Sequence, residues 1–292
     1  MSITATNPSV IAEAPPAPVN VWAVIAKVFV HAFLICIGIV VLYPLLWMAM
    51  NGFKNNAQIF GNPFALPLSW SWVNYVDAWN RGVRDYLTVS ILVTVASALC
   101  TVLISAWTAY GLTRTRMPGK PLVVGFVLGG LMLSPTVAVI PLVKMMQALG
   151  LYNTYWALIV LYTAFRIPFS TFLIRAYMLD LPRDVDEAAV IDGATEGQIF
   201  RKITLPLCRP IIVSCIILHV LFAWNEYLFA MIFSGAVGMQ TLPVGLTSIM
   251  AKHGTNYGVV FAAMTISALP IVAVFFAAQR YFIRGLSEGI GK

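Results

Sequence analysis

The chain has 292 residues, 60% of them hydrophobic and only 10% charged, against about 45–50% apolar and about 25% charged in an ordinary soluble domain. With a mean hydropathy of +0.86, its apolar surface exceeds what one water-facing domain can hide, so its solvent is lipid. A net charge of +7 fits the Lys and Arg excess of cytoplasmic membrane loops, not a nucleic-acid footprint, and 11 acids with 3 His leave little material for a catalytic cluster.

Residues 1–20 read as polar, are broken by Pro15, Pro16 and Pro18, and lack the apolar core of a secretory signal, so a disordered cytoplasmic tail is expected over 1–27. Six stretches then approach the roughly 20 apolar residues a spanning helix needs: 28–50, 86–112, 122–143, 155–177, 211–233 and 257–282. Between the first two, Pro63, Pro67, Trp70, Trp72, Tyr75 and Trp79 read as an interfacial segment. In the third, Gly125 and Gly129 have the G-x-x-x-G spacing that permits close helix packing. Arg166 and Pro168 interrupt the fourth, and Pro135, Pro141 and Pro168 are candidate flex points because each frees a backbone carbonyl. Cys36, Cys100, Cys208 and Cys215 form no C-x-x-C and read as buried, reduced thiols.

If the N-terminus is cytoplasmic, twelve of the 18 Lys and Arg fall on that side and five on the other, with Arg166 inside a span. Both termini are therefore expected inside, with a cytoplasmic C-terminal tail over 283–292. On the same side, the 36 residues 175–210 hold six of the chain's 11 acids. Asp184 with Glu187, and Thr195 with Gln198, have capping-box spacing, and Gly193 can take a left-handed turn. The pattern predicts a helix-turn-helix over about 183–206, its second helix running from Glu196 to about Ile203 and stopping before Pro206. Its apolar residues Ala188, Ala189, Ile191, Ile199, Phe200 and Ile203 suit either insertion into another protein's groove or packing against lipid or the chain's own bundle.

Glu187-Ala188-Ala189, followed by Gly193, Ile203 and Leu205-Pro206, resembles the EAA loop of permease subunits in binding-protein-dependent ABC importers. Phe222-Ala223-Trp224-Asn225-Glu226-Tyr227, Thr241-Leu242-Pro243-Val244-Gly245 and the run Gln279 to Leu286 resemble the carbohydrate branch, in particular the maltose-importer-type inner-membrane subunit. The resemblance implies an all-α membrane protein with the type I ABC importer permease fold, a six-span domain over 28–282 in the bacterial inner membrane. It also implies a second permease subunit, usually an unlike chain, an extracytoplasmic sugar-binding protein, and two ATPase subunits that hold the ATP and magnesium. The seven EAA-loop residues would dock into the ATPase. The ending Ser287 to Lys292 follows the family's tail only loosely, so tail-based regulation is not carried over.

The chain itself has no G-x-x-x-x-G-K-[ST]; its nearest fragment, Gly119-Lys120-Pro121, lacks the earlier glycine and the hydroxyl. H-E-x-x-H does not occur, and no catalytic site or resident cofactor is expected. The alternative to a sugar-importer permease is a proton-coupled secondary transporter, which more often shows internal repeats and several intramembrane acids. Arg166, Asn225 and Glu226 are the candidate pathway residues. Arg166 could pair with Glu226 or hold the carboxylate of an acidic oligosaccharide. Trp156, Tyr162, Trp224 and Tyr227 could stack on sugar rings or anchor at the interface. His219 reads as buried and neutral.

Overall fold

The computed structural model describes residues 21–235, 238–253 and 256–290, with side chains undescribed beyond residue 278. The expected tail lies mostly outside the described residues, as do the last two positions and the side chains of the C-terminal tail. All regular structure among the described residues is helical. Its elements are α1 (Val21–Asn51), α2 (Asn56–Gly61), α3 (Val73–Ala78), α4 (Arg84–Arg114), α5 (Lys120–Gly130), α6 (Val139–Ala148) and α7 (Tyr155–Asp180). They continue with α8 (Asp184–Ile191), α9 (Glu196–Ile199), α10 (Leu205–Leu207), α11 (Arg209–Asn225), α12 (Leu228–Phe233), α13 (Leu242–His253) and α14 (Tyr257–Ile290).

The described residues divide into two units, one ending at Trp47 and the other starting at Met48. In the first, α1 is apolar around its circumference, with Phe29, Leu34 and Val40 all exposed, the pattern of a helix surrounded by lipid or other helices. In the second, α4 and α7 pack on each other and α11 lies against both. Small residues make this closeness possible: Ser90, Thr94, Ser97, Thr101 and Ser105 recur at helical spacing along the buried face of α4. Their hydroxyls and carbonyls bind across the seam, where Thr163 Oγ1 donates to Ser97 O at 3.4 Å and Ser105 Oγ to Ile167 O at 3.3 Å. A separate apolar cluster joins Ala78 and Val83 to Ile249, Val259 and Ala262. Beside it Lys54, 1% exposed, donates from Nζ to Pro63 O at 2.9 Å, and burial lowers its pKa.

The first, second, fourth and sixth expected spans are continuous helices, and α7 runs straight through Arg166 and Pro168. Among the described residues, four helices are long and apolar enough to cross a membrane, or five if the pair Glu196–Leu207 and Arg209–Asn225, bent by 74°, is one span. The expected third span is instead two shorter helices, α5 and α6, with a break over 131–138 that contains Pro135. Pro135 supplies no N–H and biases Ser134 away from helix. Within this chain Gly125 and Gly129 make no close helix approach, since a Cβ on either meets nothing within 4 Å. The close approach is at Gly130, where a Cβ would sit 2.8 Å from Pro168 Cγ on α7. The expected fifth span is broken too, because α11 stops at Asn225 and α12 starts at Leu228.

Candidate coupling hairpin and pathway residues

The hairpin begins with Asp184, Asp186 and Glu187 in the first turn of α8, where the helix dipole favours acids. The Asp184 and Glu187 box does not form: Arg183 occupies the cap position in helical geometry, with no side-chain cap. Gly193 turns the chain as its position predicts, at φ +80°. Its N–H donates to Val190 O at 3.0 Å and the Ala194 N–H to Ala189 O at 2.9 Å, closing the end of α8. The second box is present, with the Thr195 N–H donating to Gln198 Oε1 at 2.9 Å. Beyond α9 the chain does not stop before Pro206. It widens into a π turn over Phe200–Thr204, and Leu205 is still helical at φ −64°, ψ −44°. The wider register puts Pro206 in the first turn of α10, where a missing N–H is tolerated, and the chain bends only at Cys208.

The hairpin's two faces differ. Ala189, Ile199 and Phe200 are buried, and the Phe200 ring lies 5.1 Å from Tyr110 and 5.4 Å from Trp107 of α4. These three residues hold the hairpin on its own bundle. Arg114 completes the attachment. Its Nε lies 3.1 Å from Asp186 Oδ2, and its Nη2 donates to Met178 O at 3.2 Å and Leu181 O at 3.1 Å, so one guanidinium ties the ends of α4 and α7 to α8. Glu187, Ala188, Gly193 and Pro206 are exposed, Ile203 and Leu205 half-buried. Val190 and Ile191 are 61% and 86% exposed beside them. Sequence reasoning counted Arg114 only as a topology charge, because nothing local marks which distant carbonyls it meets.

The three pathway candidates are not one cluster. Among the described residues Arg166 pairs with no acid. Its Nη2 donates to Leu218 O at 3.3 Å, and its guanidinium carbon lies 4.8 Å from the Phe169 ring centre and 4.9 Å from that of Phe222. The expected Arg166–Glu226 pair is therefore absent. Glu226 lies eight residues beyond Leu218, whose carbonyl Arg166 reaches, and its carboxylate is already taken. It accepts from Phe229 N at 2.9 Å, from Ala230 N at 3.1 Å and from the Tyr162 hydroxyl at 2.8 Å, capping α12 after the break. Asn225 Nδ2 donates to Leu221 O within its own helix. Tyr162 and Trp224 are buried and so are not free stacking platforms, whereas Trp156 and Tyr227 are exposed. His219 is buried, with Nε2 2.8 Å from Ser97 Oγ.

A membrane-embedded bundle with an anchored, half-exposed hairpin is the architecture these residues build. Residues 102–288 match the family described as binding-protein-dependent transport system inner membrane component. The chain belongs to this family. It is thus a membrane permease component, a transport subunit with the ABC importer permease fold. A probable ABC transporter permease protein of Bacillus subtilis is 45% identical over 91% of this chain and 88% of its own length. The trehalose/maltose transport system permease protein of Thermococcus litoralis is 35% identical over 87% of this chain and 93% of its own. In fold, the chain is similar to one from a bacterial ABC transporter involved in the import of the acidic polysaccharide alginate. That match has a TM-score of 0.78 and 22% identity, covering 92% of this chain and all of that one.

Proposed function

We propose that this permease forms half of the translocation pathway of an ATP-driven oligosaccharide importer and couples it to separate ATPase subunits through the 183–206 hairpin. The observation that carries this reading is the division of the hairpin's surface. One face is bolted to α4 and α7 by Phe200 and Arg114, while Val190 and Ile191 stand out beside acidic Glu187. An element rigid at its base and apolar at its tip suits a lever seated in a partner's cleft. Support for sugar as the class of cargo comes from the trehalose/maltose permease relative and the fold of the alginate importer.

In this reading the ATPase pair binds ATP and magnesium, a second, unlike permease completes the pathway, and an extracytoplasmic binding protein delivers the cargo. The complex reconstituted in vesicles should take up oligosaccharide only with ATP and the ATPase subunits present. Uptake driven by a proton gradient alone would establish the secondary-transporter alternative. Gly193→Val forces a β-branched residue to positive φ at about 1–2 kcal/mol and should lower cargo-stimulated ATP hydrolysis several-fold without removing the chain from the membrane. Normal stimulated hydrolysis in the assembled complex would end the docking reading.

Both termini are cytoplasmic in this proposal. In a cysteine-free background, Ser69→Cys should then react with an impermeant maleimide added from outside, and Gly197→Cys should not. The reverse pattern inverts the topology. Arg166, lacking an acid among the described residues, is the group suited to a carboxylate on the cargo. Arg166→Met should assemble normally and lose at least about tenfold in uptake of a uronate oligosaccharide while keeping a neutral one, the loss of about one charge-assisted contact. Equal uptake of both by the variant would leave Arg166 no role in the cargo.

A further inference from the structure

The foot of α4 presents two adjoining concavities beside the attachment of the hairpin. One, about 530 Å³, is lined by Arg114, Arg116, Lys120 and Arg183 together with Thr113 and Thr115. Among the described residues, Arg116, Lys120 and Arg183 take part in no ion pair, and Lys120 Nζ meets only Thr115 O at 3.2 Å. Asp186 faces the same region, but it is bound to Arg114. The other, about 600 Å³, is wholly different in chemistry, being walled by Leu103, Ile104, Trp107, Leu112 and Val123. It runs along α4 for about 14 Å from Leu103 to Leu112 at 1.5 Å per residue. Met117 lines both, so the basic cavity and the apolar groove adjoin across this one side chain.

Cations at the end of a spanning helix, adjoining an apolar groove along that helix, match one class of molecule: phosphate joined to hydrocarbon. We propose that this place binds an anionic phospholipid of the leaflet at the hairpin end of the bundle, its phosphate among Arg116, Lys120 and Arg183 and an acyl chain along Trp107 and Leu112. A water-soluble subunit would leave the apolar groove empty, and a neighbouring membrane helix would leave the cations without an anion. Because Arg114 belongs to the cavity wall and also holds Asp186, lipid in the cavity bears on the attachment of the coupling hairpin. The site is independent of which cargo the permease moves.

The test is native mass spectrometry of the purified full complex, offered phosphatidylglycerol or phosphatidylcholine in detergent. Retention of one phosphatidylglycerol per copy, in preference to phosphatidylcholine, is expected. Arg116→Gln with Lys120→Gln should weaken retention about thirtyfold, from roughly fivefold for each cation removed. Gly111→Phe separates the groove from the charges. A Cβ at Gly111 meets nothing within 4 Å and Gly111 lines the groove, so a ring built there should occupy it, and lipid should be lost although every cation remains. Gly111→Ala, too short to fill the groove, should retain lipid and serves as the folding control. The proposal is overturned by equal retention of both lipids, by unchanged retention in either the charge or the Gly111→Phe variant, or by displacement with inorganic phosphate alone. It is also overturned if Gly111→Cys crosslinks to the second permease in lipid-replete membranes, since a protein would then fill the groove.

Discussion

Arg114→Met should leave the permease in the membrane and the ATPase active, yet cut cargo-stimulated hydrolysis about tenfold or more. The side chain is only 8% exposed and binds both α7 and α8 to the foot of α4. Its removal strands Asp186, itself 18% exposed, and frees two carbonyls, a loss of about 3 kcal/mol for a largely buried pair. Part of that loss reaches global stability, so the informative measurement is the ratio of stimulated to basal hydrolysis at equal assembly. Arg114→Lys should not rescue it, because an ammonium cannot serve a carboxylate and two carbonyls with a planar fork. Asp186→Asn, which keeps an acceptor, should be milder. If Arg114→Met retains the normal ratio, the hairpin is held by its apolar face alone.

Glu226→Ala is expected to be the most destabilising single change in the membrane domain. Three donors converge on this carboxylate, and alanine leaves two backbone N–H groups and the buried Tyr162 hydroxyl without a partner, at about 2–4 kcal/mol in all. Glu226→Gln keeps one acceptor oxygen and should fall between. The thermal unfolding midpoint of the detergent-solubilised complex measures this order. Adding Arg166→Met to Glu226→Gln should give the sum of the two single effects, since the groups do not touch. Recovery in the double variant would mean that they pair after all.

Much of this architecture is legible in the sequence because lipid imposes a strong signal. Long apolar runs located α1, α4, α7 and α14, and Gly193 turns where its spacing placed it. The failures have local causes. Residues 122–143 are apolar throughout, and hydropathy reports solvent, not continuity, so it cannot see α5 end at Gly130. Glu226 was recognised as a costly charge, but its partners are the N–H groups of a helix that exists only because the chain breaks there. The EAA-loop residues Glu187, Ala188 and Ala189 are adjacent in sequence yet divide between surface and core, a distinction that depends on Phe200 finding Tyr110 across the fold. The positions of Arg114 and of the small residues on α4 were visible, but their partners lie 60 or more residues away.

The π turn at Phe200–Thr204 makes chain length a mechanical dimension of the hairpin. One residue corresponds to about 100° of rotation and 1.5 Å of travel in an α-helix. Removing a single exposed residue such as Lys202 would tighten the turn and swing the N-terminal part of the hairpin by that angle. Ile199 would leave its buried seat while the tip at Ile191 swept round to a new bearing. An exposed segment that ought to tolerate insertions and deletions is therefore phased like a screw thread, set by the number of residues between Gly193 and the bend at Cys208.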